Sequence, residues 1–185
     1  MTAAIGWCVW ITGLPGSGKS VISRTLADIL NKRGLSVQLL SSDELRTILT
    51  PKPTYGIEER DNVYATIVYI TSLLTRNGVN VLIDATGNLR RYRDYARLQI
   101  PFFIEVYLEC SLDVCMQREA GRKETYNAPT EIYKKVIQHK NFNTVPGVGQ
   151  PYEMPLNPDV VVKTFVLTPQ EAAHQIYDAI LNIKK

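Results

Sequence analysis

The string Gly13-Leu14-Pro15-Gly16-Ser17-Gly18-Lys19-Ser20 constrains this chain more than any other feature, because it fits G-x-x-x-x-G-K-[ST]. Glycines at that spacing let successive backbone N–H groups curl around phosphate oxygens. The lysine then reaches the β and γ phosphates, and the hydroxyl after it can ligand Mg²⁺. An apolar run precedes the string and an amphipathic helix follows, so the positive helix end faces the same anion. The chain is therefore expected to bind a nucleoside triphosphate with Mg²⁺ through these eight residues.

The flanking pattern sets the fold. Trp7-Cys8-Val9-Trp10-Ile11 is unbroken apolar sequence and reads as a strand buried on both faces. Ile22, Leu26, Ile29 and Leu30 place one face of a helix that opens near Gly18, with Gly34 placed to close it. Further strands are read at 36–40, 79–84, 102–108 and 159–163, and helices over 58–76, over 90–98 and from 111. Thr168-Pro169-Gln170-Glu171 is a capping box with proline in the first turn and opens the last helix. Alternating strands and helices predict an α/β protein with the three-layer P-loop NTPase fold, a central parallel five-stranded sheet covered on both faces. At 185 residues and about 150 residues per domain, one kinase domain over 1–185 is expected. Its loosest stretch, 119–131, is charged and contains Gly121 and Pro129, the composition of a lid that closes over substrates.

Several function classes drop out. No Asn-Lys-x-Asp base-reading motif of a GTPase is present, and a motor ATPase needs more chain. A net charge of +3 is too mild for a nucleic-acid binder unless the basic residues cluster, and Arg90-Arg91-Tyr92-Arg93 is one short cluster. No stretch approaches the roughly 18 apolar residues of a membrane span. Cys8, Cys110 and Cys115 cannot all pair and show no C-x-x-C spacing, which fits a reducing, cytoplasmic setting rather than a disulfide scaffold or a zinc site. A small-molecule kinase remains.

The candidate site residues follow from that chemistry. Lys19 stabilises charge on the transferring group. Asp43 follows the second strand, where open α/β sheets place ligands, and can act on the acceptor hydroxyl and on Mg²⁺. It can equally cap the helix that Asp43-Glu44-Leu45-Arg46 would open. Asp84 ends the third strand like a Walker B acid, a third metal candidate beside Ser20 and Asp43. Arg46, Arg60, Arg90 and Arg93 read as guanidinium clamps converging on one anionic acceptor. Arg118, with Arg122 and Lys123, reads as a lid cation for the phosphoryl group.

With those elements placed, the chain resembles adenylylsulfate kinases over roughly residues 7–162. The run from Trp10 to Ser20 matches the family's W-x-T-G-L-x-G-x-G-K-[ST]. Asp43 stands at the last position of the family's Asp-Gly-Asp, with Arg46 after it, and Glu59-Arg60 stands for Asp-Arg. Ile104-Glu105-Val106-Tyr107, Leu112-Asp113-Val114-Cys115, Arg118, Ile132-Tyr133-Lys134-Lys135, Asn141-Phe142 and Pro151-Tyr152-Glu153 continue the match. The resemblance implies transfer of the ATP γ-phosphoryl to the 3′-hydroxyl of adenylylsulfate in sulfate assimilation. It also implies a small anionic nucleotide as partner and places Lys134, Phe142 and Tyr152 at the acceptor. Homodimerisation is usual for the family, although no diagnostic interface stripe is visible. The family's Ile-Ser-Pro reads Thr86-Gly87-Asn88 here, its helix asparagine falls at Val63, and its Asp-Pro-Lys-Gly lid gives way to the longer 119–131. A kinase of the same fold with another anionic nucleotide-like acceptor, or a nucleic-acid-directed or non-catalytic P-loop protein, stays open.

Overall fold

The computed structural model describes residues 4–50, 52–138 and 144–183. A parallel five-stranded sheet runs in the order β2-β3-β1-β4-β5, comprising β1 (Cys8–Thr12), β2 (Val37–Ser41), β3 (Asn80–Asp84), β4 (Phe103–Glu109) and β5 (Val160–Lys163). The central strand β1 is buried at every residue. Its side chains alternate between two cores, as the unbroken apolar run requires. Val9 and Ile11 pack with Leu26 and Leu30 of α1 (Lys19–Lys32) and Ile176 of α7 (Pro169–Ile183). Cys8 and Trp10 pack with Val63 and Ile67 of α3 (Ile57–Arg76) and Ala96 of α4 (Arg90–Gln99). Each such aliphatic side chain contributes about 1.5–3 kcal/mol on full burial, and the Trp10 indole N–H donates to the Ala85 carbonyl at 2.9 Å.

The helix ends confirm the sequence signals. Gly34 has φ 76°, and its N–H donates to the Asn31 carbonyl just past α1. At the start of α7, Thr168 and Glu171 exchange the reciprocal hydrogen bonds of a capping box at 2.8 and 3.2 Å. Asp43 is not the cap of α2 (Ser42–Leu49); the Ser41 hydroxyl accepts from the Glu44 N–H instead, which leaves the Asp43 carboxylate uncommitted to that role. Two shorter helices, α5 (Leu112–Gly121) and α6 (Ile132–Gln138), flank the charged segment. No helix among the described residues is long and apolar enough to cross a membrane.

The strand order places the switch point at β1, with β3 on one side and β4 on the other, and ligands bind outside the carboxyl ends of such strands. Register brings Ile11, Asp84 and Ser41 level across three neighbouring strands. The P-loop, Asp84 and the start of α2 therefore meet at one edge.

Candidate active site

The loop after β1 is built around two glycines. Gly16 has φ 83°, and a Cβ there would lie 2.3 Å from the Cys115 carbonyl oxygen; Gly18, at φ 102°, caps α1. Only glycine meets both demands without strain. Lys19 Nζ donates to the Gly13 and Leu14 carbonyls at 3.0 and 2.9 Å. Burial pushes its ammonium pKa down, while the charges of Asp84 and Asp43 act the other way. The Ser17 hydroxyl is buried in the same loop with no partner.

These residues floor a cavity of about 600 Å³. Asp43 and Asp84 both line it. Burial raises the pKa of each carboxyl; the Asp84 charge raises Asp43 further, whereas Lys19 and a Ser20 hydrogen bond pull Asp84 back. Arg46 and Arg60 reach the cavity from α2 and α3. Arg46 Nε donates to Glu59 at 2.6 Å, its Nη1 lies 3.8 Å from Asp43, and its buried Nη2 has no partner. Arg60 donates to the Tyr55 carbonyl at 3.0 Å, to Asn88 at 3.4 Å and to the Thr144 carbonyl at 2.6 Å.

The charged segment forms the remaining wall. Arg118 and Arg122 both line the cavity, yet their attachments differ. Arg118 donates to the Thr164 carbonyl at 2.7 Å and to its hydroxyl at 3.3 Å, which ties it to the turn after β5. The charge of Arg122 acts on both Lys19 and Asp43.

Four expected acceptor residues stand outside the cavity lining. Arg90 pairs loosely with Glu153 at 3.9 Å and donates to the Met154 carbonyl, outside the cavity lining. Lys134 pairs with Glu131 at 2.8 Å on the exposed face of α6, and Lys135 lines the cavity in its place. Tyr152 stacks on Tyr107 at 6.3 Å and its hydroxyl meets Thr12 at 3.1 Å, outside the cavity lining. Arg93 is buried against Glu105 at 2.6 Å and the Gly87 and Glu153 carbonyls. The four guanidinium groups thus do not converge: Arg46 and Arg60 reach the cavity, Arg90 and Arg93 brace the chain behind it. Phe142 lies outside the described residues. Tyr55, Thr144 and Thr164 join the lining without any local sequence signal.

Glu59 holds the acceptor side together. It accepts from Arg46, from the Thr54 N–H and hydroxyl, and from the Tyr55 N–H. Burial alone would raise its pKa; these donors outweigh it and hold the carboxyl below its ordinary 4.5. The unfolded chain therefore binds the proton more readily, and this contribution is complete above about pH 4.5 and lost as pH falls through the lower folded value. Glu59→Gln should cost about 3 kcal/mol at neutral pH, the scale for stranding one partner of a buried ion pair. Urea denaturation of both proteins between pH 3 and pH 7 checks this: the gap should close on the acid side, and a gap independent of pH would refute it.

Comparison with known proteins identifies the family and the fold. The family model for Adenylylsulphate kinase matches residues 5–163. An adenylyl-sulfate kinase of Rippkaea orientalis (strain PCC 8801 / RF-1) is 34% identical over 172 residues, covering 93% of this chain and 90% of that protein. A probable bifunctional SAT/APS kinase 2 of Sorangium cellulosum (strain So ce56) is 35% identical over 173 residues, but the match covers 92% of this chain and 28% of that longer protein. Among solved structures, the Mycobacterium tuberculosis APS kinase CysC in complex with AMPPNP and APS superposes with a TM-score of 0.84 at 27% identity, over 96% of this chain and 98% of that one. By sequence match along nearly its whole length and by fold, this chain belongs to the adenylylsulphate kinase family.

Proposed function

We propose that this chain phosphorylates the 3′-hydroxyl of adenylylsulfate with MgATP, giving 3′-phosphoadenylylsulfate and ADP. One observation carries the reading: a single cavity joins a P-loop lysine, a strand-end carboxylate and two buried arginines in a member of this family. The P-loop amides and Lys19 hold the donor's β and γ phosphates. Arg46 and Arg60 hold the anionic bridge of the acceptor, which suits the bidentate guanidinium. Asp43 takes the proton of the attacking hydroxyl as its oxygen bonds to phosphorus and the bond from the γ-phosphorus to the β–γ bridging oxygen breaks.

The oxygen donors also fit Mg²⁺, which takes one or two carboxylates with substrate phosphates. Ser20 and Asp84 are hydrogen-bonded in a buried corner where Lys19 only partly balances the acid, and Asp43 lines the same cavity. When bound there, the ion neutralises charge on the phosphates. Most of the remaining catalysis is positioning and electrostatics, as phosphoryl transfer requires.

The test is ATP-dependent product formation with adenylylsulfate, AMP, other nucleotides and simple sugars. Turnover should favour adenylylsulfate. Preference for a different anionic nucleotide would reassign the acceptor within the same mechanism, and turnover confined to an uncharged sugar would end the reading.

A further inference from the structure

We propose that Tyr64 of α3 is a specificity-determining residue, whose phenolic O–H donates to the anionic group of the acceptor beside Arg60. This deepens the kinase reading above, on which it rests, through a residue that reading does not use.

Tyr64 is only 2% exposed, yet it lines the cavity. Packing holds its ring, with the Trp10 and Tyr92 centroids at 6.0 and 4.5 Å. Its oxygen is held as well, because it accepts from the Gly87 N–H at 3.1 Å. A phenol carries one donor besides the lone pairs that accept. No hydrogen bond among the described residues uses that donor. Ring and oxygen are thus fixed while the O–H stays free, and a buried donor is unfavourable until an acceptor reaches it.

Placement names the class of ligand. Arg60 and Tyr64 are four residues apart and share one face of α3. Both are tied to the loop after β3, Tyr64 through the Gly87 N–H and Arg60 through Asn88 Oδ1 at 3.4 Å. The loop therefore sets hydroxyl and guanidinium on the same stretch of the acceptor wall. An oxyanion held by Arg60 has lone pairs to spare, and a hydrogen bond to a charged acceptor is roughly twice as strong as a neutral one. Neighbouring positions cannot supply that donor. A Cβ at Gly87 would lie 2.9 Å from the Trp10 ring and 3.2 Å from the Arg93 side chain. Val63 is buried in the core with Cys8 and Trp10. These are the two places where the family pattern has serine and asparagine, and Tyr64 adjoins both.

The test measures affinity for adenylylsulfate, AMP and adenosine with ADP held in the donor site, for wild type, Tyr64→Phe, Arg60→Lys and the double variant. Tyr64→Phe keeps the packed ring and removes the O–H. It should weaken adenylylsulfate and AMP by at least about tenfold and leave adenosine and ADP within about twofold, since only the first two present an anion on the acceptor side. The same loss should persist in the Arg60→Lys background, which keeps a charge but breaks the fork that reaches Asn88. Equal wild-type and Tyr64→Phe affinities for both anionic ligands would overturn the proposal. An equal fall for adenosine would also overturn it, by marking a structural role. A loss that vanishes beside Arg60→Lys would do the same, by showing that Tyr64 acts only through Arg60. Should wild type ignore adenylylsulfate while AMP binding depends on Tyr64 as stated, the proposal stands and the acceptor reading alone fails.

Discussion

Replacing Lys19 with alanine should lower turnover by on the order of 10³-fold while the far-ultraviolet spectrum of the folded chain stays unchanged. Removing one neutral oxyanion donor from an enzyme typically costs about 10²–10³ in rate, and Lys19 carries a full charge in a buried site. No other cation comes from the P-loop itself, and the two arginines of α2 and α3 are engaged elsewhere. Arg46 is committed to Glu59 and Arg60 to backbone carbonyls, both on the acceptor side. The fold does not depend on the ammonium, because burial already disfavours its charged form and its partners are two loop carbonyls. Steady-state turnover beside circular dichroism checks the claim. A rate within tenfold of wild type in a folded Lys19→Ala protein would remove the P-loop from the mechanism.

The donor side of this site was legible in the sequence because it is local. Eight consecutive residues carry the phosphate cradle, and the strand and helix that hold it adjoin them. The acceptor side is assembled across long stretches of chain, and there local reading went astray in an instructive way. Arg90, Arg91 and Arg93 form a basic cluster that looks like an anion site, but Arg93 is neutralised by Glu105 of β4. A signal for this pairing was present. Glu105 is a carboxylate between the apolar Ile104 and Val106 in the middle of the strand's buried stretch, and a buried acid needs a cation or several donors. Its strand neighbours face α1 and α7, whereas Glu105 faces α4, where Arg93 lies within reach. Helix periodicity and strand alternation read together would have joined them.

Asp43 shows the opposite case. Its position in Asp-Glu-Leu-Arg suited a helix cap as well as a catalytic acid, and Ser41 takes the capping role. Tyr152 was expected at the acceptor from its Pro-Tyr-Glu context, yet packing on Tyr107 and contact with Thr12 place it beside the end of β1. A motif fixes which residues recur, whereas the neighbours they meet depend on the whole sheet.

Asp43→Asn should lower kcat by on the order of 10²–10⁴-fold, the usual contribution of a positioned general base, with ADP affinity held within a few-fold. Asparagine keeps the shape of the side chain and removes only its capacity to take the hydroxyl proton. Arg46 should not move, since its close contact is Glu59 at 2.6 Å and Asp43 stands 3.8 Å away. The donor phosphates are held by the P-loop, so a loss confined to kcat means an interaction made in the transition state. Asp84 differs in its surroundings: it is hydrogen-bonded to Ser20 and feels Lys19 and Arg24, all on α1. Asp84→Asn should therefore raise the Mg²⁺ concentration needed for half-maximal rate, with a smaller fall in kcat at saturating metal. Titrating Mg²⁺ against turnover for both variants separates the two roles. If Asp84→Asn proved crippling at every Mg²⁺ concentration and Asp43→Asn mild, the acid acting on the hydroxyl would be Asp84. Asp43 would then serve the metal, because the two carboxylates share one cavity and no other described Asp or Glu except Glu124 lines it.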